Sequence, residues 1–275
     1  MRQLAGHPAV IPVNEPLIGQ HLGPFFSDEP GIHASDLDST NFTPNRYLRD
    51  AGQYFFAAEY RHVWAPQLGS MITARLQAHA AARAGSVPLS KTFLVLKEPH
   101  GSQAADVILE ALPESRLLFL LRDGRDVVDS ELAAVAKGAW LSDVFPVVAG
   151  LEEDERLEFA EQAAYKWLWR TEVVEQAYAA HQGPKLTVRY EDMLAAPAPN
   201  LRRVLDWLGL SIDEAELERL VESQSFERLP AEHRGPGKIF RAATPGLWRE
   251  NLTGEEQAML ERVLGPKLRE LGYES

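Results

Sequence analysis

The stretch Arg116-Leu-Leu-Phe-Leu-Leu-Arg-Asp-Gly-Arg-Asp-Val-Val-Asp-Ser130 decides how the rest of the chain is read. Leu117 to Leu121 form an unbroken apolar run, the pattern of a strand buried on both faces. The run stops at Arg122-Asp123-Gly124-Arg125, and Val127, Val128, Leu132 and Val135 then recur at helical spacing. A buried strand therefore leads through a tight, arginine-rich turn into a helix. In an open parallel sheet, ligands bind beyond the carboxyl ends of the strands, where helix N-termini present unpaired N–H groups and partial positive charge. Arg122 adds a planar donor fork suited to phosphate or sulfate, and Ser130 a hydroxyl two turns on. The same pattern also fits a surface arginine in a salt-bridged turn.

Working outward, three more strands are expected: Ala9–Val13, Thr92–Lys97 and Lys185–Arg189. Helices are expected between and after them, at about 66–84, 154–181, 198–208, 212–223 and 254–271, and a further one at 46–62. Tyr165, Leu168, Trp169, Val173 and Ala177 form the expected apolar stripe of the longest. Thr253 is the expected N-cap of the last. Met1 to Pro8 reads as the final turns of a helix stopped by Gly6. Strands alternating with helices imply an α/β fold, an open and mainly parallel sheet flanked by helices. No repeat or composition break divides the chain, so residues 1–275 read as a single domain.

Composition narrows the function. The chain has 275 residues, a net charge of −12 and no cysteine. The acidity argues against nucleic-acid binding and requires any anion site to be a local cluster of cations. Disulfides, thiolate metal sites and cysteine nucleophiles are excluded. No apolar run reaches the ~18 residues of a membrane span, and no signal peptide opens the chain, so a cytoplasmic protein is expected. Gly23 to Asn45 reads as a long loop of the kind that contacts substrate. Asp36-Leu-Asp38 within it lacks a third ligand, and no metal is expected.

Four motifs, in order, resemble the sulfotransferases that use 3′-phosphoadenosine 5′-phosphosulfate (PAPS). In that family a strand-end arginine and a serine about eight residues later hold the 3′-phosphate, and Arg122 and Ser130 fit this spacing. Tyr190-Glu191-Asp192 resembles the element whose tyrosine approaches the adenine, and Ser225-Phe226 the one that supplies an aromatic face. Arg241 stands seven residues before Trp248, with Gly246 between, like the arginine of the last phosphate-binding turn, although Ala242-Ala243 replaces its Lys-Gly pair. The resemblance implies a P-loop-NTPase-like sulfotransferase fold, PAPS as donor and no metal. Lys97 is similar to the lysine that charges the leaving group. For the base it implies two candidates: His100, three residues after Lys97, and Glu15, which follows His7-Pro8 as in protein-tyrosine sulfotransferases.

The family's first strand and Gly/Ser/Thr-rich phosphate loop would lie just before Met1, so both are expected to be absent and the sheet to carry a gap. The expected activity is sulfuryl transfer from PAPS to an acceptor hydroxyl. Apolar and aromatic residues between Pro24 and Trp64 suggest a small-molecule acceptor, with no nucleic-acid or membrane partner and oligomeric state left open. The alternative is a non-catalytic nucleotide-binding or scaffold protein of the same fold. A kinase-type reading ranks below both, since no Gly-x-x-x-x-Gly-Lys-Ser/Thr loop is present and Asp123 is its only candidate metal-binding carboxylate.

Overall fold

The computed structural model describes residues 2–19, 58–83, 87–99, 101–142 and 151–274. Helix α1 (Arg2–Ala5) passes through Gly6 into strand β1 (Val10–Asn14). Helix α2 (Arg61–Ala81) precedes β2 (Phe93–Lys97), which a 3₁₀ turn at Gly101–Ala104 joins to α3 (Ala105–Ala111). The stretch Arg116 to Ser130 forms β3 (Leu117–Leu121) and the start of α4 (Gly124–Val135). Helix α5 (Glu153–Ala180), strand β4 (Lys185–Arg189), α6 (Tyr190–Ala195), α7 (Pro197–Leu208) and α8 (Glu214–Ser223) follow. The chain closes with α9 (Trp248–Asn251) and α10 (Gly254–Glu270).

All four expected strands form, in two pairs. β1 and β2 are parallel, registered from Val10 opposite Phe93 to Asn14 opposite Lys97. β3 pairs with β4. The expected burial of β3 on both faces is not observed: Leu121 is buried, but Leu120 is 53% exposed. β2 is half-buried from Phe93 to Leu96. The reason is that each strand has one hydrogen-bonded neighbour among the described residues, so an apolar run here does not mean a strand enclosed by others.

Two compact units result. Met1–Phe119, Arg170–Thr187 and Leu201–Leu220 make the first, and Leu120–Trp169, Val188–Asn200 and Val221–Ser275 the second. In the first, Trp64, Ala65, Leu68 and Ile72 of α2 pack with Ala104, Val107 and Ala111. Gly69 permits this approach, because an added Cβ would stand 2.0 Å from the Ala111 carbonyl oxygen. Pro66 was expected to open α2, but the helix starts at Arg61, with Pro66 inside it. Burial of the Trp64 face outweighs the lost hydrogen bond, at ~1.5–3 kcal/mol for each large apolar side chain. Arg61 also anchors the first turn through Asp106 and Glu110.

In the second unit, α9 and α10 pack on α4. Val128, Leu132 and Val135 face this core, as do Met259, Leu260, Val263, Leu264 and Leu268 of α10. Thr253 caps α10 as expected, in a capping box closed by Glu256. The expected stripe of α5 holds in part: Trp169 and Ala177 are buried, but Tyr165 is 45% exposed, and Ala160, Ala163, Ala164, Trp167 and Thr171 are buried as well. Small alanines give little periodic signal, yet they let neighbouring elements come close. The loop 23–45, with Asp36 and Asp38, lies outside the described residues, as does most of the helix expected at 46–62.

Candidate functional site

In the second unit, the turn after β3 is held by charge. Asp123 caps α4, its carboxylate accepting from the Arg125 N–H at 2.8 Å. It also takes a fork from the Arg125 guanidinium, Nε at 3.0 Å to Oδ1 and Nη2 at 2.8 Å to Oδ2. Both side chains are buried, so the pair holds only because its hydrogen bonds are completed. Arg125 finishes its set on the Glu274 carbonyl at 2.7 Å, and its plane lies 4.4 Å from the Trp248 ring. Glu191 ties the turn to the start of α6: Oε1 accepts from the Asp123 N–H at 2.9 Å, and Oε2 from the Tyr273 hydroxyl at 3.1 Å. Burial, then the Glu191 charge, pushes the Tyr273 phenol above its ordinary range, so it stays a donor.

Arg122 leaves the same turn in a different state. Its Nη2 donates to the Asp126 carbonyl at 3.1 Å, and the guanidinium stands 4.9 Å from the Tyr190 ring. Its Nε is buried and has no partner among the described residues. A half-buried cation at a strand end, held by one carbonyl and beside one ring, is suited to gripping an anion through its remaining N–H groups. Of the residues expected to bind the donor, Arg122 and Tyr190 are thus brought together.

Arg241 is otherwise engaged. Its guanidinium grips the buried Asp129 carboxylate, Nη1 to Oδ1 at 3.1 Å and Nη2 to Oδ2, where Asn251 also donates at 3.1 Å. Ser130, half-buried, is the next residue on α4. Asp126, one turn earlier, accepts from the Gly246 N–H at 2.7 Å. Gly246 has φ 85°, where a side chain would be strained. Burial raises the Asp126 carboxyl above its ordinary value, against the Gly246 N–H and the Arg122 charge. The half-buried Phe226 ring faces Arg234, 5.9 Å from its guanidinium.

In the first unit, Glu15 and Lys97 meet at the ends of β1 and β2. Their side chains form an ion pair, and the Glu15 N–H donates to the Lys97 carbonyl at 2.8 Å. Both side chains remain accessible, 48% and 44% exposed. His7 is structural: it is buried, and its Nδ1 accepts from the Ala9 N–H at 3.1 Å. His100 lies outside the described residues. Glu98 was not singled out from sequence, although a glutamate directly after an apolar strand was a usable signal. Neither were Asp126, Asp129 and Glu191, each of which neighbours or contacts a motif residue that was. Among the described residues there is no metal-binding cluster and no helix long and apolar enough to cross a membrane.

The sulfotransferase family model matches residues 2–214, more than half of the chain. The chain belongs to the sulfotransferase family. Among solved structures it is similar to mouse sulfotransferase SULT7A1 complexed with PAP, at 15% identity and TM-score 0.49, over 67% of each chain. It is also similar to retinol dehydratase in complex with androsterone and the inactive cofactor PAP, at 16% identity and TM-score 0.45, over 96% of this chain and 81% of that one. No curated protein matches. The assignment rests on the family model.

Proposed function

We propose that the protein transfers a sulfuryl group from PAPS to the hydroxyl of a small-molecule acceptor. The observation that carries the reading is Arg122, a half-buried guanidinium held at the end of β3 beside the Tyr190 ring, in a member of this family. Arg122 and Ser130 hold the 3′-phosphate. Tyr190 and Phe226 frame the adenine. Arg241, held by Asp129, lends the N–H groups that this pair leaves free to the same phosphate. In the transfer, the bond from sulfur to the 5′-phosphate oxygen breaks as the bond from sulfur to the acceptor oxygen forms. Adenosine 3′,5′-bisphosphate leaves with the electron pair, and Lys97 offsets its charge. Glu15 or His100 takes the acceptor proton, a role worth ~10²–10⁴ in rate.

Calorimetry with adenosine 3′,5′-bisphosphate and transfer of labelled sulfate from PAPS test this reading. Arg122→Ala should weaken bisphosphate binding about 10- to 100-fold, the loss of one or two charge-assisted hydrogen bonds. Equal affinity in Arg122→Ala and the parent would overturn the assignment of the anion site. Tight binding without transfer to any hydroxyl would leave a nucleotide-binding protein in place of an enzyme.

A further inference from the structure

Several irregularities in the first unit fall on one short turn. Glu15 and Leu17 have φ of 48° and 60°, left-handed values that side chains avoid, and neither is glycine. Something must hold that turn in place. Glu98 is in position to do so: its Oε2 accepts from the Ile18 N–H at 2.8 Å, across 80 residues of chain. Its stem fits only because residue 101 is glycine, since a Cβ there would stand 2.0 Å from Glu98 Cγ. Gly101 also donates its N–H to the Glu98 carbonyl at 2.9 Å. The segment is pinned once more at Gly19, whose carbonyl accepts from the buried Gln103 at 3.2 Å. Glu98 Oε1 is buried and has no partner among the described residues.

A buried oxygen cannot reach a substrate, so Glu98 is not itself the base. Its neighbours in the sequence and across the strand pair are the groups that matter. Lys97 precedes it, and Glu15 stands opposite Lys97, paired to it through side chain and backbone. Burial raises the Glu98 carboxyl, with the Glu15 charge adding to it and the N–H groups of Ile18, Gly19 and Leu17 opposing.

We propose that Glu98 is a positioning residue: its carboxylate clamps the Glu15–Ile18 turn and thereby fixes the Glu15–Lys97 pair in the geometry used for proton transfer. The inference rests on the reading above, with Glu15 taken as the base and Lys97 as its partner. Strain in the turn is maintained by the clamp, so releasing the clamp lets Glu15 return to an ordinary backbone conformation. Small misplacement of a reacting group is enough to lower a rate about 100-fold.

The test compares Glu98→Ala and Glu98→Gln in the full chain, each alone and with Glu15→Gln. Glu98→Ala should lower kcat about 10- to 100-fold with the KM for PAPS unchanged. Glu98→Gln should restore most of that loss, because its amide oxygen can still accept the Ile18 N–H. In the Glu15→Gln background Glu98→Ala should cost nothing further, as expected of a residue acting through Glu15. The same factor lost in both backgrounds, or no rescue by glutamine, overturns the proposal. Amide hydrogen exchange gives an activity-independent arm: Glu98→Ala should strip protection from Ile18 and Glu98→Gln should keep it. If the parent protein transfers no sulfate, the proposed function falls while the exchange result still decides the clamp; unchanged protection in Glu98→Ala sinks it.

Discussion

Two strand-end turns, one in each unit, meet the same task with opposite means. The turn after β3 is braced by charge: Asp123, Arg125 and Glu191 satisfy one another, the Arg122 Nε is left over, and the backbone there stays in ordinary conformations. The turn after β1 carries two left-handed residues and leans on a carboxylate with one oxygen unused. The first is built to hold a charge still. In the second, strain is stored beside the Glu15–Lys97 pair. On the proposed function, rigidity comes from ion pairs where the anion is gripped and from a single clamp where the proton moves.

The contrast can be broken most severely at Asp129. Asp129→Ala strands Arg241 and Asn251 beside a buried site, and loss of one partner of such a pair costs about 3–5 kcal/mol. A large drop in the denaturation midpoint of Asp129→Ala is therefore expected, with Asp129→Asn falling between it and the parent. A drop within error of zero would mean that the second unit's charges are decoration. Next in size is Tyr273→Phe, which removes the hydroxyl donated to Glu191 and should cost roughly 1–2 kcal/mol in chemical unfolding.

The smallest effect is a slope. The Asp126 and Glu98 carboxyls are both raised, chiefly by burial. The folded state thus keeps these protons where the unfolded chain has lost them. Their contribution to stability is full below the ordinary values of 3.8 and 4.5 and is lost as pH rises through the raised ones. Asp126→Asn and Glu98→Gln should each flatten the fall in stability measured from pH 4 to pH 7. Parallel slopes in parent and variants would show that burial there carries no such cost.

Much of the scaffold was legible because it is local. Apolar runs marked the four strands, and Thr253 announced the start of α10. Boundaries failed where tertiary packing outweighed a local signal, as at Pro66 inside α2. Facing was read only in part on α5, where alanines, nearly neutral in pattern, line the buried side beside Trp167 and Trp169. For the candidate site, a strand-end arginine with a serine eight residues on marked Arg122 and Ser130, and a short motif marked Tyr190, whose ring the structure brings beside Arg122. The partners that decide how those groups behave lie far off in sequence. Asp129 meets Arg241 across 112 residues and Ile18 meets Glu98 across 80, and no spacing rule reads such pairs. Glu98 passed unnoticed for that reason: its meaning comes from a glycine three residues on and a strained turn far upstream.

The segment 271–274 has a consequence of its own. Arg189 donates to the carbonyls of Leu271 and Gly272, and Arg125 to that of Glu274, so these contacts recognise main chain and ignore side-chain identity. Tyr273 and Gly272 are the exceptions, the latter because its φ of 75° would strain a side chain; at Leu271 and Glu274 nearly any residue should serve, whereas deleting the segment would strand two guanidinium groups.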